Sequence, residues 1–307
     1  MTFFIKYKFC KEVFDLGKLN KKIFIPLFVL LLLVISVGVF SMRADYTSAE
    51  LFDAKHEFSY GEQANQDLKI YQKGLKKGEK TPVVLYIHGG GWYAGDKANV
   101  GKKPGYFNKK GYTFISMNYR LSPVGNYQDQ ANDVAAAMKW IVDHADQYHL
   151  NANQITLMGH SAGGHLASLV ALDPQYLKEV GLPLNTIRGV INIEGPLDMS
   201  DFIKEVPKYK SVYGKNPNVW KAASPSTYLG QQAVPPMLII SREDASTTKF
   251  VKAAKKLGEP VDLLTTHELS HSDLTGLIGT NENAEAIQVT NAVTKFLQTN
   301  HQIHASK

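Results

Sequence analysis

Short apolar runs rich in β-branched residues alternate along the chain with longer stretches in which apolar residues recur every three or four positions. The runs occupy residues 83–87, 113–117, 155–158, 189–193 and 237–240. Continuous apolar runs of this length are typical of parallel strands that are buried on both faces. The periodic stretches are predicted helices, with apolar faces formed by Ala131, Val134, Met138, Ile141 and Ala145 and by Ala286, Val289, Val293 and Phe296. The pattern therefore predicts an α/β fold with a mostly parallel central sheet and helices on both faces.

This alternation extends over one predicted domain, residues 55–300. A polar linker and a tail flank the domain, at residues 43–54 and 301–307. At the start of the domain, residues 56–60 and 66–72 alternate between polar and apolar side chains, which predicts an antiparallel edge pair. The alternation of strands and helices is interrupted at about residues 198–224, which contain two prolines and several aromatic residues. We expect this stretch to form a small cap over a site.

A separate hydrophobic segment occupies the N-terminal part. Residues 23–42 contain no charged side chain and follow Lys21 and Lys22. Twenty apolar residues can span a bilayer as a helix, and basic residues before such a segment place the N-terminus in the cytoplasm. We therefore expect a cytoplasmic basic segment at residues 1–22, a transmembrane anchor, and an extracytoplasmic domain. A cleaved signal segment, which would leave the domain secreted, and a buried core helix are the alternatives.

Charge and cysteine content limit the possible partners. The net charge of the chain is +6, of which the first 22 residues carry +4. The +2 left for the rest of the chain is too small to indicate nucleic-acid binding. The only cysteine is Cys10, ahead of the membrane segment. The exported part is therefore predicted to have neither disulfides nor a cysteine metal site.

A glycine-serine motif directly follows the apolar run at residues 155–158. It reads Gly159-His160-Ser161-Ala162-Gly163 and leads into an Ala/Leu-rich stretch that is a predicted helix. A tight strand-to-helix turn forces such a serine into a strained conformation and exposes its hydroxyl as a nucleophile. The glycines are needed because side chains there would collide with the neighbouring strand and helix. The motif alone could also be a glycine-rich turn, but the strand before it and the helix after it favour a nucleophile elbow.

A second glycine motif, His88-Gly89-Gly90-Gly91-Trp92, follows the apolar run at residues 83–87. Glycines allow a backbone to approach a substrate carbonyl and to direct amide hydrogens at it. We assign an oxyanion hole to the amides of Gly90, Gly91 and Ala162. Trp92 and His160 adjoin these groups and are predicted to contact the substrate. A phosphate-binding or purely structural loop is the alternative, although the spacing matches neither a P-loop nor a dinucleotide fingerprint.

These motifs together resemble those of the α/β-hydrolase esterases related to hormone-sensitive lipase, feruloyl esterases and kynurenine formamidase, and in particular the BD-FAE branch. The matching segments are His88 to Trp92 with Gly95-Asp96-Lys97, Asn118 to Pro123, Asp133, the elbow, Gly195 to Asp198 and Ser224-Pro225. The resemblance covers roughly residues 55–300. It implies an α/β-hydrolase fold, a Ser-acid-His triad, a small-molecule acyl ester as substrate, and no cofactor.

The order of the triad in this fold indicates where its acid and its base lie. The acid is expected after the strand at residues 237–240, where we choose Asp244, with Glu243 as its rival. Asp198 is a further carboxylate, but its Gly-x-x-Asp setting favours a structural role. The base is expected after a strand at residues 261–265, and His271 matches the family's His-x-Asp-Leu segment better than His267 does.

The same segment contains His267-Glu268-Leu269-Ser270-His271, a literal His-Glu-x-x-His zinc motif. Zinc binding would require both histidines on one face of a helix, together with a third ligand such as Glu282 or Glu285. The β-branched residues before the motif predict a strand that runs into a loop, so we expect no metal site.

The sequence thus predicts a serine carboxylic-ester hydrolase with Ser161, His271 and Asp244 as its triad. An amide hydrolase of the arylformamidase type would use the same residues and is the first alternative. A membrane-anchored binding protein that has the fold without the activity is the second alternative, although the intact set of three residues argues against it. The sequence does not indicate an oligomeric state.

Overall fold

The apolar runs form the centre of an eight-stranded sheet in the computed structural model, which describes residues 57–72 and 79–301. The strands are β1 Glu57–Ser59, β2 Asp67–Tyr71, β3 Thr81–Ile87, β4 Thr113–Met117, β5 Leu150–His160, β6 Ile187–Ile193, β7 Met237–Arg242 and β8 Val261–Thr266. Their order is β1-β2-β4-β3-β5-β6-β7-β8. The β1–β2 and β2–β4 pairs are antiparallel and the other five are parallel. This confirms the mostly parallel sheet and its antiparallel edge.

Within the described residues, eight α-helices lie between the strands and two follow β8. They are α1 Lys103–Lys109, α2 Tyr127–Asp143, α3 Ala162–Leu172, α4 Gln175–Glu179, α5 Met199–Glu205, α6 Lys210–Tyr213, α7 Pro217–Ala222, α8 Ala245–Lys256, α9 Asp273–Gly276 and α10 Ala284–Asn300. Both predicted amphipathic helices are present, as α2 and α10. Helix α2 begins at a capping box, in which Asn126 and Asp129 each accept the other's backbone N–H at 3.0 Å. It ends before Ala145, which was expected to belong to it.

Two hydrophobic cores lie on opposite faces of the sheet. Successive residues of a strand point to opposite faces. Along β3, for example, Leu85 packs into one core and Tyr86 into the other. Residues of α2, α3 and α8 belong to the first core, and residues of α1 and α10 belong to the second. The helices therefore cover both faces, as the continuous apolar runs predict.

The interruption predicted at about residues 198–224 lies between β6 and β7. This region contains α5, α6 and α7 together with 3-10 turns at Pro207–Tyr209 and Pro225–Tyr228. The predicted basic segment, the hydrophobic segment at 23–42 and the linker at 43–54 lie outside the described residues. Among the helices of residues 57–72 and 79–301, none combines the length and the apolar character needed to cross a bilayer.

The parallel strands carry the loops that form the candidate site. The carboxyl ends of β3, β5, β6, β7 and β8 lie at the same edge of the sheet. In open α/β sheets this edge is where ligands bind. Both glycine motifs and every candidate acid and base follow one of these ends.

Candidate active site

The turn between β5 and α3 carries Ser161 in a strained conformation. Its backbone angles are φ 54° and ψ −120°, a combination that costs a non-glycine residue about 1–3 kcal/mol. A β-carbon on Gly159 would lie 2.2 Å from the carbonyl oxygen of Gly163. One on Gly163 would lie 2.1 Å from the carbonyl oxygen of Ile87. The expected collisions are therefore real, and the turn has the form of a nucleophile elbow.

The Ser161 side chain is only half-buried. Within residues 57–72 and 79–301 its hydroxyl has no hydrogen-bond partner, while its backbone is fixed on both sides. The Ser161 N–H donates to Ile193 at 2.8 Å, and the Ser161 carbonyl accepts from His165 at 3.0 Å. A hydroxyl that is free on a rigid backbone is available to react with a ligand.

The loop after β3 passes directly beside this serine. A β-carbon on Gly89 would lie 3.3 Å from Cβ of Ser161, and Gly90 and Gly91 have φ values of 130° and 62°. In the part of the chain that the structure describes, the amides of Gly90, Gly91 and Ala162 donate to no backbone or side-chain acceptor. These three predicted oxyanion-hole groups therefore remain free to donate close to the nucleophile.

His271 lies in the loop between β8 and α9 and reaches back to the elbow. His160 donates from Nε2 to the His271 carbonyl oxygen at 2.8 Å, and the two imidazole rings are 4.5 Å apart. Nδ1 of His271 lies 2.5 Å from Oε2 of Glu194. This contact uses Nδ1, so Nε2 is the nitrogen available to take a proton.

Glu194 occupies a place on β6 that matches the place of Ser161 on β5. His160 and Ile193 are paired across the two strands, and Ser161 and Glu194 are the next residues. Glu194 also has a left-handed backbone, with φ 52°, and its N–H donates to Ile240 at 2.8 Å. Ser161 and Glu194 thus follow neighbouring strands at the same level of the sheet.

The Glu194 carboxylate contacts two basic side chains, Arg242 and His271. Its Oε1 accepts from Nε of Arg242 at 2.6 Å, while Oε2 contacts His271. Burial raises the pKa of Glu194, but the hydrogen bonds from His271 and Arg242 outweigh it and hold the pKa below its ordinary value. The group is therefore an anion at neutral pH.

The structure does not bring Asp244, the predicted acid, to His271, whose Nδ1 contacts Glu194 instead. Asp244 is the N-cap of α8, and its Oδ2 accepts the N–H of Thr247 at 2.5 Å. Its rival Glu243 is exposed. Asp198 also caps a helix, because it accepts from Ser200 at 2.9 Å.

The sequence contains features that make Glu194 a candidate acid, although no motif marks it. Glu194 lies between Ser161 and His271 in the chain, so it satisfies the order Ser-acid-His as well as Asp244 does. It is also a carboxylate directly after a buried strand. Order and position could not separate the two candidates, because only the packing of the histidine loop decides which carboxylate meets Nδ1.

The prediction that Trp92 contacts the substrate is also corrected, because Trp92 is 1% exposed. Its ring is covered by side chains of the cap and of α3, namely Phe202, Tyr209, Tyr213 and His165. Its Nε1 donates to Nδ1 of His165 at 3.2 Å, and Nε2 of His165 donates to the Ala223 carbonyl at 2.7 Å. Complete burial lowers the pKa of His165 to about 4, so a neutral imidazole joins Trp92, in the loop after β3, to Ala223.

His160, the other residue predicted to contact the substrate, lies at the site, but its side chain contacts His271. Burial and the neighbouring His271 lower the pKa of His160 to about 4. The neutral ring donates from Nε2 to the His271 carbonyl. His160 therefore helps to hold the histidine loop, and its contact with a substrate stays a prediction.

A cavity of about 370 Å³ adjoins His271 and Glu194. It lies between the loop after β6 and the loop after β7. Leu197, Phe202 and Val206 form an apolar part of its lining, while Glu243 and Asp244 contribute to a polar part. Ser161 does not line it, so the cavity extends from the histidine side of the site.

The His267–His271 segment does not have the geometry of a zinc helix. Strand β8 ends at Thr266 and α9 begins at Asp273, so the segment between them is a loop. Instead of binding a metal as a third ligand, Glu285 accepts three consecutive backbone N–H groups. They belong to His267, Glu268 and Leu269, at 2.6, 2.8 and 2.8 Å.

Comparison with solved structures defines the class of fold. Esterase 2 of Thermogutta terrifontis, phosphonylated by sarin, matches with a TM-score of 0.69 and 21% identity over 83% of this chain and 98% of that chain. An inhibited esterase B from Lactobacillus rhamnosis matches with a TM-score of 0.68 and 21% identity over 88% and 96%. The protein therefore has the α/β-hydrolase fold, as the motifs predict.

A family model described as BD-FAE matches residues 68–256. The chain belongs to this family. Esterase LipC of Mycobacterium tuberculosis is 28% identical over 197 residues, which are 59% of this chain and 48% of LipC. Arylacetamide deacetylase of Oryctolagus cuniculus is 29% identical over 151 residues, which are 48% of this chain and 37% of that protein. The chain thus spans about half, or less, of the length of these relatives.

Proposed function

We propose that the protein is a serine hydrolase that cleaves carboxylic esters. The observation that carries the proposal is the free Ser161 hydroxyl on a strained turn, beside three unpaired amides and within the reach of the His271 loop. Family membership and relatives named as esterases support the same reaction. A protein that only binds ligands would have no need of this combination.

The reaction begins when Oγ of Ser161 attacks the ester carbonyl carbon while Nε2 of His271 takes the hydroxyl proton. The electron pair of the carbonyl double bond moves onto its oxygen, where the amides of Gly90, Gly91 and Ala162 stabilise the charge. The bond to the alcohol oxygen then breaks, and the alcohol leaves with the proton from His271. Water repeats the sequence on the acyl-enzyme, which releases the acid and restores Ser161.

Glu194 is the proposed acid of the triad. A carboxylate on Nδ1 selects the tautomer in which Nε2 accepts a proton, and it stabilises the imidazolium that forms. Glu194 is suited to this role because it is anionic at neutral pH and held by Arg242. The arrangement requires neither a metal nor a cofactor.

The proposed substrate is a small-molecule acyl ester, with a preference for short acyl chains. The cavity beside His271, at about 370 Å³, is at the lower end of the range for small-molecule pockets. One relative is named arylacetamide deacetylase, which favours amide hydrolysis on the same residues as a second candidate. Comparison of a formanilide with an acetyl ester distinguishes the two.

The purified full-length protein should hydrolyse p-nitrophenyl acetate and react with a fluorophosphonate. Ser161→Ala should lower kcat by roughly 10³-fold or more, since loss of the nucleophile removes the acyl-enzyme route. Ser211→Ala, on the exposed surface of the cap, is the control and should leave kcat unchanged. Activity should survive treatment with a chelator. A wild-type protein that is inert towards both reagents would contradict the proposal.

We also propose that residues 23–42 anchor the chain in a membrane and that the domain is extracytoplasmic. This rests on the apolar run and on the lysines that precede it. Protease added to intact cells should degrade the domain, and the protein should stay with the membrane fraction. Recovery of a shortened, active protein from the medium would indicate a cleaved signal segment instead.

A further inference from the structure

Lys103, the first residue of α1, is a buried cation that the proposed reaction does not use. Its side chain is 1% exposed, and no carboxylate among the described residues forms an ion pair with it. Burial lowers the pKa of Lys103 to about 8. Burying an ammonium group without a carboxylate partner destabilises the folded state, and an apolar side chain of similar size would destabilise it less.

The ammonium group of Lys103 is aimed at the helix that follows His271. Its Nζ donates to the Thr275 carbonyl oxygen at 2.7 Å and lies 5.0 Å from the centre of the Tyr86 ring. The hydroxyls of Tyr86 and Thr275 are in turn 2.9 Å apart. Thr275 belongs to α9, which begins two residues after His271. The side chains of Lys103 and Tyr86 thus both hold one residue of this short helix.

Helix α9 needs an external partner of this kind. It has four residues, and the last carbonyl groups of any helix lack partners within the helix. A lysine near a helix C-terminus both satisfies such a carbonyl and interacts favourably with the helix dipole. Among the described residues no backbone N–H donates to the Thr275 carbonyl, so Lys103 supplies the bond.

We infer that Lys103 is a positioning residue for His271, because its ammonium group fixes α9 and thereby fixes the loop that presents the imidazole. The inference rests on the proposed function, in which His271 is the base. Misplacement of a catalytic group by about 1 Å can cost roughly 10²-fold in rate. Lys103 therefore acts on catalysis without touching the substrate.

Lys103→Met in the full-length protein tests this role, because methionine keeps an unbranched side chain only one atom shorter but removes the donor and the charge. We expect kcat for p-nitrophenyl acetate, per fluorophosphonate-titrated site, to fall about tenfold or more. KM should stay within about twofold, since no substrate contact changes. The midpoint of thermal unfolding should not fall, because a buried charge is removed with the bond. Lys102→Met, at the exposed neighbouring residue, is the matched control.

A folded Lys103→Met variant whose kcat and labelling rate equal those of the wild type would overturn the inference. If the methionine variant does not fold, Lys103→Gln decides: it keeps a neutral donor on a shorter chain, so its kcat should also be reduced. An inert wild type would instead show that the proposed function itself is wrong.

Discussion

Ser161 and Glu194 are the two residues whose backbones define the site. Both have left-handed φ values, 54° and 52°, directly after paired residues of neighbouring strands. Such strain persists only where surrounding structure enforces it. Here the Ser161 N–H is held by β6 and the Glu194 N–H by β7. The sheet therefore fixes the backbone positions of Ser161 and Glu194 relative to each other.

Exchanging one carboxylate at a time distinguishes the two candidate acids. Glu194→Gln removes the negative charge that lies next to Nδ1 of His271. It should lower kcat by roughly 10³- to 10⁴-fold, as loss of the acid does in other triads. Asp244→Asn is the matched control. Asparagine caps a helix about as well as aspartate, so both kcat and stability should remain close to those of the wild type.

Steady-state kinetics and thermal unfolding of the two purified variants provide the measurement. The reverse result, with an active Glu194→Gln and an inactive Asp244→Asn, would restore Asp244 as the acid. Arg242→Gln should have a smaller effect than Glu194→Gln, because it weakens the orientation of the carboxylate but leaves its charge next to His271.

At the scale of elements, the loop between β8 and α9, which carries His271, is held at both of its ends. Glu285, in the first turn of α10, accepts three successive N–H groups at its start. After the loop ends, Lys103 of α1 holds α9 by donating to the Thr275 carbonyl. The loop between β8 and α9 is irregular in backbone but fixed in place. The first three residues of the zinc-like motif, His267, Glu268 and Leu269, bind the Glu285 carboxylate through their backbone N–H groups.

Glu285→Gln should loosen the start of this loop. The new amide group would direct N–H donors at N–H donors, so at least one bond from His267, Glu268 or Leu269 would be lost. We expect a loss of about 1–3 kcal/mol in the free energy of unfolding, measured by urea denaturation, together with a lower kcat. Glu282→Gln, at an exposed position nearby, should change neither. Equal stability of Glu285→Gln and the wild type would count against the role of Glu285.

At the scale of the whole molecule, local patterns predict the architecture better than they predict the partners within the site. The apolar runs form strands and the elbow forms around Ser161 because the apolar pattern and the glycine spacing that specify them are contained in short stretches of sequence. Whether Asp244 or Glu194 meets His271 depends on how a distant loop packs. Trp92 follows the same rule, since the cap that buries it is remote in the chain.

In the proposed triad Glu194, directly after β6, contacts His271, so the loop after β7 has no proposed catalytic role. In this chain that loop only caps α8 and borders the cavity beside His271. Its sequence can therefore change, in nature or by mutagenesis, without altering the proposed triad. Residues 243, 244, 246 and 247 line that cavity and are accordingly a target for changing which substrates the proposed hydrolase accepts.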